Sequence, residues 1–304
     1  MSPLYIYLAT NLQIDSAKDM PSFRPSPQFW LNSEAIDGDN SALLHLVANN
    51  CHTGTVELLF GKDSPIDQDN NSFLHCAAGS GYTDTVKLLL DKGAQIEARN
   101  TDSNTPLHLA AKNGRPDAIK ILLGKGASIE ALGKDKNTAL HLAAWEGHIA
   151  TVDFLLGKDA SIVAKGQYGN TPLHFATYGG HTGVVELLFK KGASIEVKNE
   201  DPSAPLHLAA CQGHTAVMVL LLGKGASIES RGTHRYTSLH LAAQNGHSGV
   251  IELLLANGAS IKAVNNLNNT PLHYAITYGH IDTIELLENK DVQLAILANN
   301  FAGF

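Results

Sequence analysis

The sequence is short of positive charge. It has 22 lysines and arginines against 29 aspartates and glutamates, a formal net charge of −7, and its basic residues are scattered singly. Such a chain offers no dense basic segment to attract a phosphate backbone or anionic lipid headgroups. We therefore expect neither a nucleic acid nor a membrane surface as its partner.

Cysteine is also scarce, and long apolar runs are missing. Cys51, Cys76 and Cys211 are odd in number and lie far apart, so a disulfide framework does not organise the fold, and a reducing compartment is indicated. The apolar stretch within MSPLYIYLATNLQ is about six residues long, too short for a secretory core or a membrane span. These absences predict a cytoplasmic protein.

The motifs of common catalytic sites are missing as well. The sequence has no HExxH, no CxxC pair, no GxSxG and no clustered set of His and Cys, so it offers no zinc ligands and no nucleophile elbow. The Gly-Lys-Gly triplets at 124–126 and 223–225 follow a helix and lead to Ala, unlike a phosphate loop, and are interpreted as helix stops. We predict no enzyme, no metal and no cofactor.

What the sequence does contain is a repeat. The dipeptide Leu-His recurs at an interval of 30 and then six intervals of 33 residues, and a fixed period in this range is typical of a solenoid array. The eight histidines of these dipeptides are His45, His75, His108, His141, His174, His207, His240 and His273.

Each unit follows one plan, which is clearest in residues 104–126, NTPLHLAAKNGRPDAIKILLGKG. Thr105 can cap a helix, Pro106 suits the first helical turn, and the Leu and Ala residues that follow form one apolar face. Gly114 separates this helix from a second one, and the polar, glycine-containing stretch after it predicts an extended finger. The predicted unit is helix, turn, helix, finger.

These motifs resemble the ankyrin repeat, whose pattern is TPLHxAAxxGHxxVVxLLLxxGA over 33 residues. TPLH is intact at 105–108, 171–174 and 270–273, and the pattern covers residues 36 to about 297. The resemblance implies an all-α ankyrin-repeat α-solenoid of eight repeats, elongated and curved, in which each repeat carries two helices and a β-hairpin or finger.

One such unit cannot bury its apolar face alone, so the repeats must stack and the ends of the stack need covers. We expect residues 1–35, which contain Phe, Pro and Trp, to cap the first repeat; a partner-binding motif is the alternative. Residues 298–304 are expected to be a tail or the start of a truncated ninth repeat.

Several positions depart from the pattern. The first two fingers are three residues shorter than the later ones, and the first two repeats read SALLH and NSFLH without Thr-Pro, so this end is predicted to be looser. Asp63, Asp159 and Asp291 replace the glycine that usually ends the second helix, which disfavours a left-handed cap there.

The histidines are interpreted as structural. The resemblance implies that the Leu-His histidines bridge backbone groups of neighbouring repeats and that a second set, seven residues further along, lies at the turn between helices. Their strict periodicity favours this role over metal binding. The second set comprises His52, His148, His181, His214, His247 and His280.

By the same resemblance, a partner lies along the groove formed by first helices and fingers. Trp145 and Tyr178 occupy equivalent positions in adjacent repeats, and aromatic residues on a rigid surface are typical of binding hot spots; alternatively, Trp145 only packs on neighbouring helices. Glu196, Glu200 and Asp201 contribute to a mixed-charge rim. The candidate partner-binding residues are Lys112, Trp145, Glu146, Tyr168, Tyr178, Gln212, Arg231, His234, Arg235, Tyr236 and Tyr278.

Three asparagines on the fingers, Asn100, Asn199 and Asn265, match the position at which the resemblance implies hydroxylation. The same side chains are expected to stabilise the finger turns through hydrogen bonds to the backbone, which is the stronger interpretation.

The sequence thus predicts a monomeric, non-catalytic scaffold or adaptor that binds a protein or peptide. Two alternatives stay open. One is an effector of an intracellular bacterium that binds in the same way in the host cytosol, and the other is the binding module of a larger, truncated enzyme or channel.

Overall fold

The computed structural model describes the backbone of residues 68–301 and the side chains of residues 73–293. Several residues singled out by the sequence lie outside the described part: the predicted cap at 1–35, His45, His52 and Asp63.

Seven helix pairs follow one another along residues 68–301, and no β-strand lies between them there. The first helices of the pairs are α1 (Gln68–Ser80), α3 (Pro106–Lys112), α5 (Ala139–Trp145), α7 (Pro172–Tyr178), α9 (Pro205–Gln212), α11 (Ser238–Gln244) and α13 (Pro271–Tyr278). The second helices are α2 (Thr83–Asp91), α4 (Pro116–Gly124), α6 (Ile149–Leu156), α8 (Thr182–Lys190), α10 (Thr215–Gly223), α12 (Ser248–Ala256) and α14 (Ile281–Phe301). The predicted all-helical repeat is confirmed.

Each first helix packs on the first helices of the adjacent repeats, and the second helices form a parallel row of contacts. Ala110 and Ala111 are completely buried, and such small residues let neighbouring helices approach closely. Leu107, Ile119 and Leu122 fill the space between the two rows, and each such side chain contributes about 2 kcal/mol of hydrophobic stabilisation. The core is therefore continuous from one repeat to the next.

A backbone hydrogen bond closes the turn of each of the two fingers that follow α4 and α6. The N–H of Gly133 donates to the carbonyl of Asn137 (2.8 Å), and that of Gly166 to Asn170 (2.9 Å). Within the second of these turns, Tyr168 has a left-handed backbone (φ 55°), which is incompatible with a strand. Of the two forms predicted, β-hairpin or finger, the described residues adopt the irregular finger.

The repeat at the start of the described part has a longer first helix. α1 contains 13 residues and begins at Gln68, whereas α3 begins directly at Pro106 after the cap residue Thr105. In NSFLH, serine stands at the threonine position but Phe73 replaces the proline, and residues 68–72, within the shortened finger, are helical.

The aspartates that replace the cap glycine behave differently from one another. Asp159 takes the left-handed conformation (φ 63°) that the sequence disfavoured, because aspartate tolerates this region better than most residues. Asp291 lies inside α14, which continues without a glycine as far as Phe301. The predicted boundary between 297 and 298 therefore falls within a helix. No helix in residues 68–301 is long and apolar enough to cross a membrane.

Candidate functional site

A row of buried histidines joins neighbouring repeats at the base of the fingers. In His108, Nε2 lies 3.0 Å from the carbonyl oxygen of Asn137, and Nδ1 lies 3.2 Å from the backbone nitrogen of Thr105. Because a carbonyl can only accept and a backbone N–H can only donate, the proton is on Nε2. We call this row the histidine ladder; its members are His75, His108, His141, His174, His207 and His240.

The ladder confirms the predicted bridging of neighbouring repeats for six of the eight Leu-His histidines; His45 lies outside the described residues, and His273 bonds to Thr270 of its own repeat. Burial lowers the pKa of His141 and of His174 to about 4, and it also lowers the pKa of His108, His207 and His240. These imidazoles are therefore neutral at physiological pH, and their nitrogens are engaged by protein atoms, which suits a structural role.

The second set of histidines fixes the carboxyl ends of the first helices. Nε2 of His181 donates to the carbonyl of Trp145 (2.7 Å), and that of His214 donates to Tyr178 (2.8 Å). Gly147, at φ 77°, makes room for this contact, since a Cβ there would collide with the His181 ring. The histidines lie at the predicted turns and, in addition, hold the backbone beneath the two candidate aromatic residues.

Those two aromatic residues stack on each other. The rings of Trp145 and Tyr178 have centroids 5.2 Å apart at an interplanar angle of 18°, and the ring of Phe175 lies edge-on to Trp145 at 5.4 Å. Trp145 keeps 40% of its surface exposed and Tyr178 39%, whereas Phe175 is buried. Trp145 thus packs on its neighbours and also presents surface to solvent.

Phe175 is a residue that the sequence analysis missed. The equivalent position is Leu109 or Leu142 in the preceding repeats and Leu208 in the next. This exchange of leucine for an aromatic residue, next to Trp145 in space, is the signal that could have identified it.

A cavity of about 310 Å³ opens beside the stacked pair. It brings together Trp145, Tyr178 and the finger residue Tyr168, which is exposed. Three of the candidate residues therefore share one site. We call this cavity the aromatic pocket, defined by Trp145, Tyr168, His174, Phe175, Tyr178 and Asp201.

The carboxyl ends of the first helices form a surface on either side of the pocket. We call it the groove row: Lys112, Trp145, Tyr178, Cys211, Gln244 and Thr277. Burial raises the pKa of the Cys211 thiol, which makes it a poor nucleophile.

The remaining candidates at these helix ends and finger tips do not line the pocket. Glu146 is exposed and Gln212 half-buried, and the hydroxyl of exposed Tyr278 accepts a hydrogen bond from Gln244 (3.2 Å). On the finger between α10 and α11, His234 and Arg235 are exposed.

Two candidate binding side chains, Arg231 and Tyr236, make hydrogen bonds within the protein. The Arg231 guanidinium donates to the carbonyls of Val264 (2.7 Å) and Arg235 (3.2 Å) and so links two fingers. The Tyr236 hydroxyl is 2.7 Å from that of Tyr274. Arg231 thus links two fingers and Tyr236 links its finger to α13, partners that the repeat pattern does not indicate.

The three finger asparagines support the turns, as the stronger interpretation predicted. Asn100 Oδ1 accepts from the N–H groups of Asp102 (3.0 Å) and Asn104 (2.9 Å). Asn199 accepts from Ser203 (2.8 Å). Asn265 is buried, and its Oδ1 accepts from the N–H groups of Leu267 (2.9 Å) and Asn269 (3.0 Å). Hydroxylation of these residues stays a prediction.

Known ankyrin-repeat proteins are similar to this chain in sequence and in fold. A family model for ankyrin repeats (3 copies) matches residues 28–100, 97–166, 126–199, 158–232 and 206–296. The crystal structure of the human ASB11 ankyrin repeat domain is similar with a TM-score of 0.63 and 27% sequence identity, over 70% of this chain and 96% of that chain. No curated protein matches significantly.

Proposed function

Because the chain belongs to the ankyrin-repeat family, whose repeats generally mediate protein–protein interactions, we propose that it is a non-catalytic scaffold or adaptor. The proposed binding surface is the groove row together with the finger tips. We expect a cytoplasmic monomer. A bacterial effector in a host cytosol, or the binding module of a larger enzyme or channel, would use the same surface.

The observation that carries this proposal is the stacked pair of Trp145 and Tyr178. Both rings keep about two fifths of their surface exposed, although the backbone beneath each is fixed by a histidine of the next repeat. Exposed aromatic rings on rigid backbone offer large contact area at little entropic cost. A surface of this kind suits the centre of a protein interface.

The experiment compares the wild-type chain with Trp145→Ala and with the Trp145→Ala/Tyr178→Ala double variant. Proteins captured from cytosol by the wild type are purified, and their affinities are measured by calorimetry. We expect Trp145→Ala to weaken binding by about 2 kcal/mol or more, as truncation of a hot-spot residue does.

Tyr82→Ala is the matched control, because Tyr82 is exposed to a similar extent (37%) but directly precedes α2 in the first described helix pair and belongs neither to the groove row nor to the aromatic pocket. It is expected to bind as the wild type does. Unchanged affinity of the Trp145 variants, with the helical circular dichroism signal intact, would exclude this surface.

A further inference from the structure

The aromatic pocket has a single charge on its wall. Among the residues that line it, Asp201 supplies the one carboxylate, and burial keeps the pKa of His174 near 4 and its imidazole neutral. The other lining side chains are aromatic, amide, hydroxyl or aliphatic. The wall therefore combines one negative charge with several π faces.

The carboxylate of Asp201 takes part in no ion pair within the described part of the chain. Asp201 is exposed at its finger tip, and no ion pair in residues 73–293 includes it or the neighbouring Glu200. The Thr233 hydroxyl donates to the Asp201 carbonyl (2.8 Å) and so connects this finger tip to the next finger. An unpaired carboxylate beside aromatic rings complements a cation.

The shape and chemistry of the pocket favour a guanidinium. A volume of about 310 Å³ is at the low end for ligand pockets, which suits one long side chain better than a folded segment. A guanidinium is flat, stacks on Trp and Tyr rings, and presents paired N–H donors to a carboxylate. A lysine ammonium is more strongly hydrated and has no flat face.

We propose that the aromatic pocket binds an arginine side chain of the partner protein, with its guanidinium against the aromatic wall and paired with Asp201. This inference rests on the proposed function and specifies the chemistry of the partner at that surface.

The test uses short peptides, acetyl-Gly-Ser-Xaa-Ser-Gly-amide, in which Xaa is arginine, lysine or citrulline, the uncharged isostere of arginine. The chain has two tryptophans, Trp30 and Trp145, so fluorescence of the full chain carrying Trp30→Phe reports on the pocket. We expect saturable changes with the arginine peptide, affinity for the lysine peptide lower by about fivefold, and no saturation with citrulline.

Asp201→Asn in the same background is expected to weaken binding of the arginine peptide about tenfold, since it removes a charge-assisted pair. The matched control is Asp135→Asn. Asp135 is also exposed, occupies the equivalent finger position two repeats earlier, and does not line the pocket. The Asp135→Asn variant loses the same charge and should keep its affinity for the arginine peptide within about twofold of the starting value.

Equal losses in the two variants would reduce the effect to net charge and overturn the proposal, as would citrulline binding as well as arginine. Tighter binding of lysine would overturn the choice of a guanidinium. If no peptide shows saturable binding while Trp145→Ala still weakens binding of the captured partner, the proposed arginine site is wrong and the proposed function stands. If Trp145→Ala leaves partner binding unchanged, the proposed function itself fails.

Discussion

The histidine ladder and the groove row lie on the same helix pairs but use their side chains in opposite ways. Histidines in the middle of the ladder, such as His108, are completely buried with both ring nitrogens engaged. In the groove row, Trp145 and Tyr178 stack on each other and keep exposed surface. The comparison indicates that stability and recognition are carried by different residues of one repeat, so substitutions should separate the two.

The largest effect should come from removing a central member of the ladder. His108→Ala leaves the Thr105 amide and the Asn137 carbonyl without their partner and creates a cavity, so we expect a loss of about 3 kcal/mol in the free energy of unfolding. His108 does not line the aromatic pocket, so affinity for the arginine peptide should not change. Urea denaturation and fluorescence titration measure the two quantities.

His273→Ala is the control for this change, because His273 is exposed in the last repeat and its ring bonds to Thr270 of its own repeat. Its loss should cost less than about 1 kcal/mol. If the two variants were equally destabilised, burial in the ladder would not be what stabilises the repeats.

Lowering the pH to about 6 should also reduce the free energy of unfolding, but by less than the His108→Ala substitution does. The pKa of His141 and of His174 is about 4 in the folded chain and about 6.5 in an unfolded one. Between these values the unfolded chain binds more protons, so stability is level above about pH 6.5 and falls as the pH falls. Half a unit below the unfolded pKa, at about pH 6, the two histidines together should cost about 1.7 kcal/mol.

This dependence can be measured by urea denaturation at a series of pH values. A free energy of unfolding that is constant between about pH 7 and pH 5 would contradict buried, neutral histidines.

The smallest effect should be a gain. His207 lies in the one described interior repeat whose capping position lacks a hydroxyl, since Ala204 replaces threonine and offers only its backbone N–H to Nδ1 (3.2 Å). Ala204→Thr should supply the Oγ1 contact that Thr171 makes to His174 (2.9 Å), for a gain of about 1 kcal/mol. Ala204→Val, a matched change without the hydroxyl, should give no gain in the thermal midpoint.

Much of this architecture could be predicted from the sequence because the repeat constrains it. A period of 33 residues places Leu107, Ala110 and their counterparts at positions that are buried only if repeats stack. The same period places Trp145 directly beside Tyr178, and the structure shows their rings stacked. Equivalent positions in neighbouring repeats are neighbours in space, so a pattern along the chain becomes a surface.

What could not be predicted depends on contacts between fingers and on side-chain directions. The sequence predicts Arg231 to be a binding residue, yet its guanidinium donates hydrogen bonds to carbonyls of two fingers. Tyr236 is likewise a candidate binding residue, yet its hydroxyl makes a hydrogen bond with that of Tyr274. The aspartate at 159 disfavours a left-handed cap, yet Asp159 adopts that conformation. In each case a neighbouring backbone or side chain decides, and the repeat pattern does not specify it.

The way the helices contact one another also bears on how the protein responds to force. The substantial contacts in the described part join each repeat to its immediate neighbours, so tension along the stack would act on one junction at a time. We expect stretching to peel the array in discrete steps, each releasing a single unit of roughly 110 Å of extended chain. Under load, the array would therefore lengthen one repeat at a time rather than unfold in a single event.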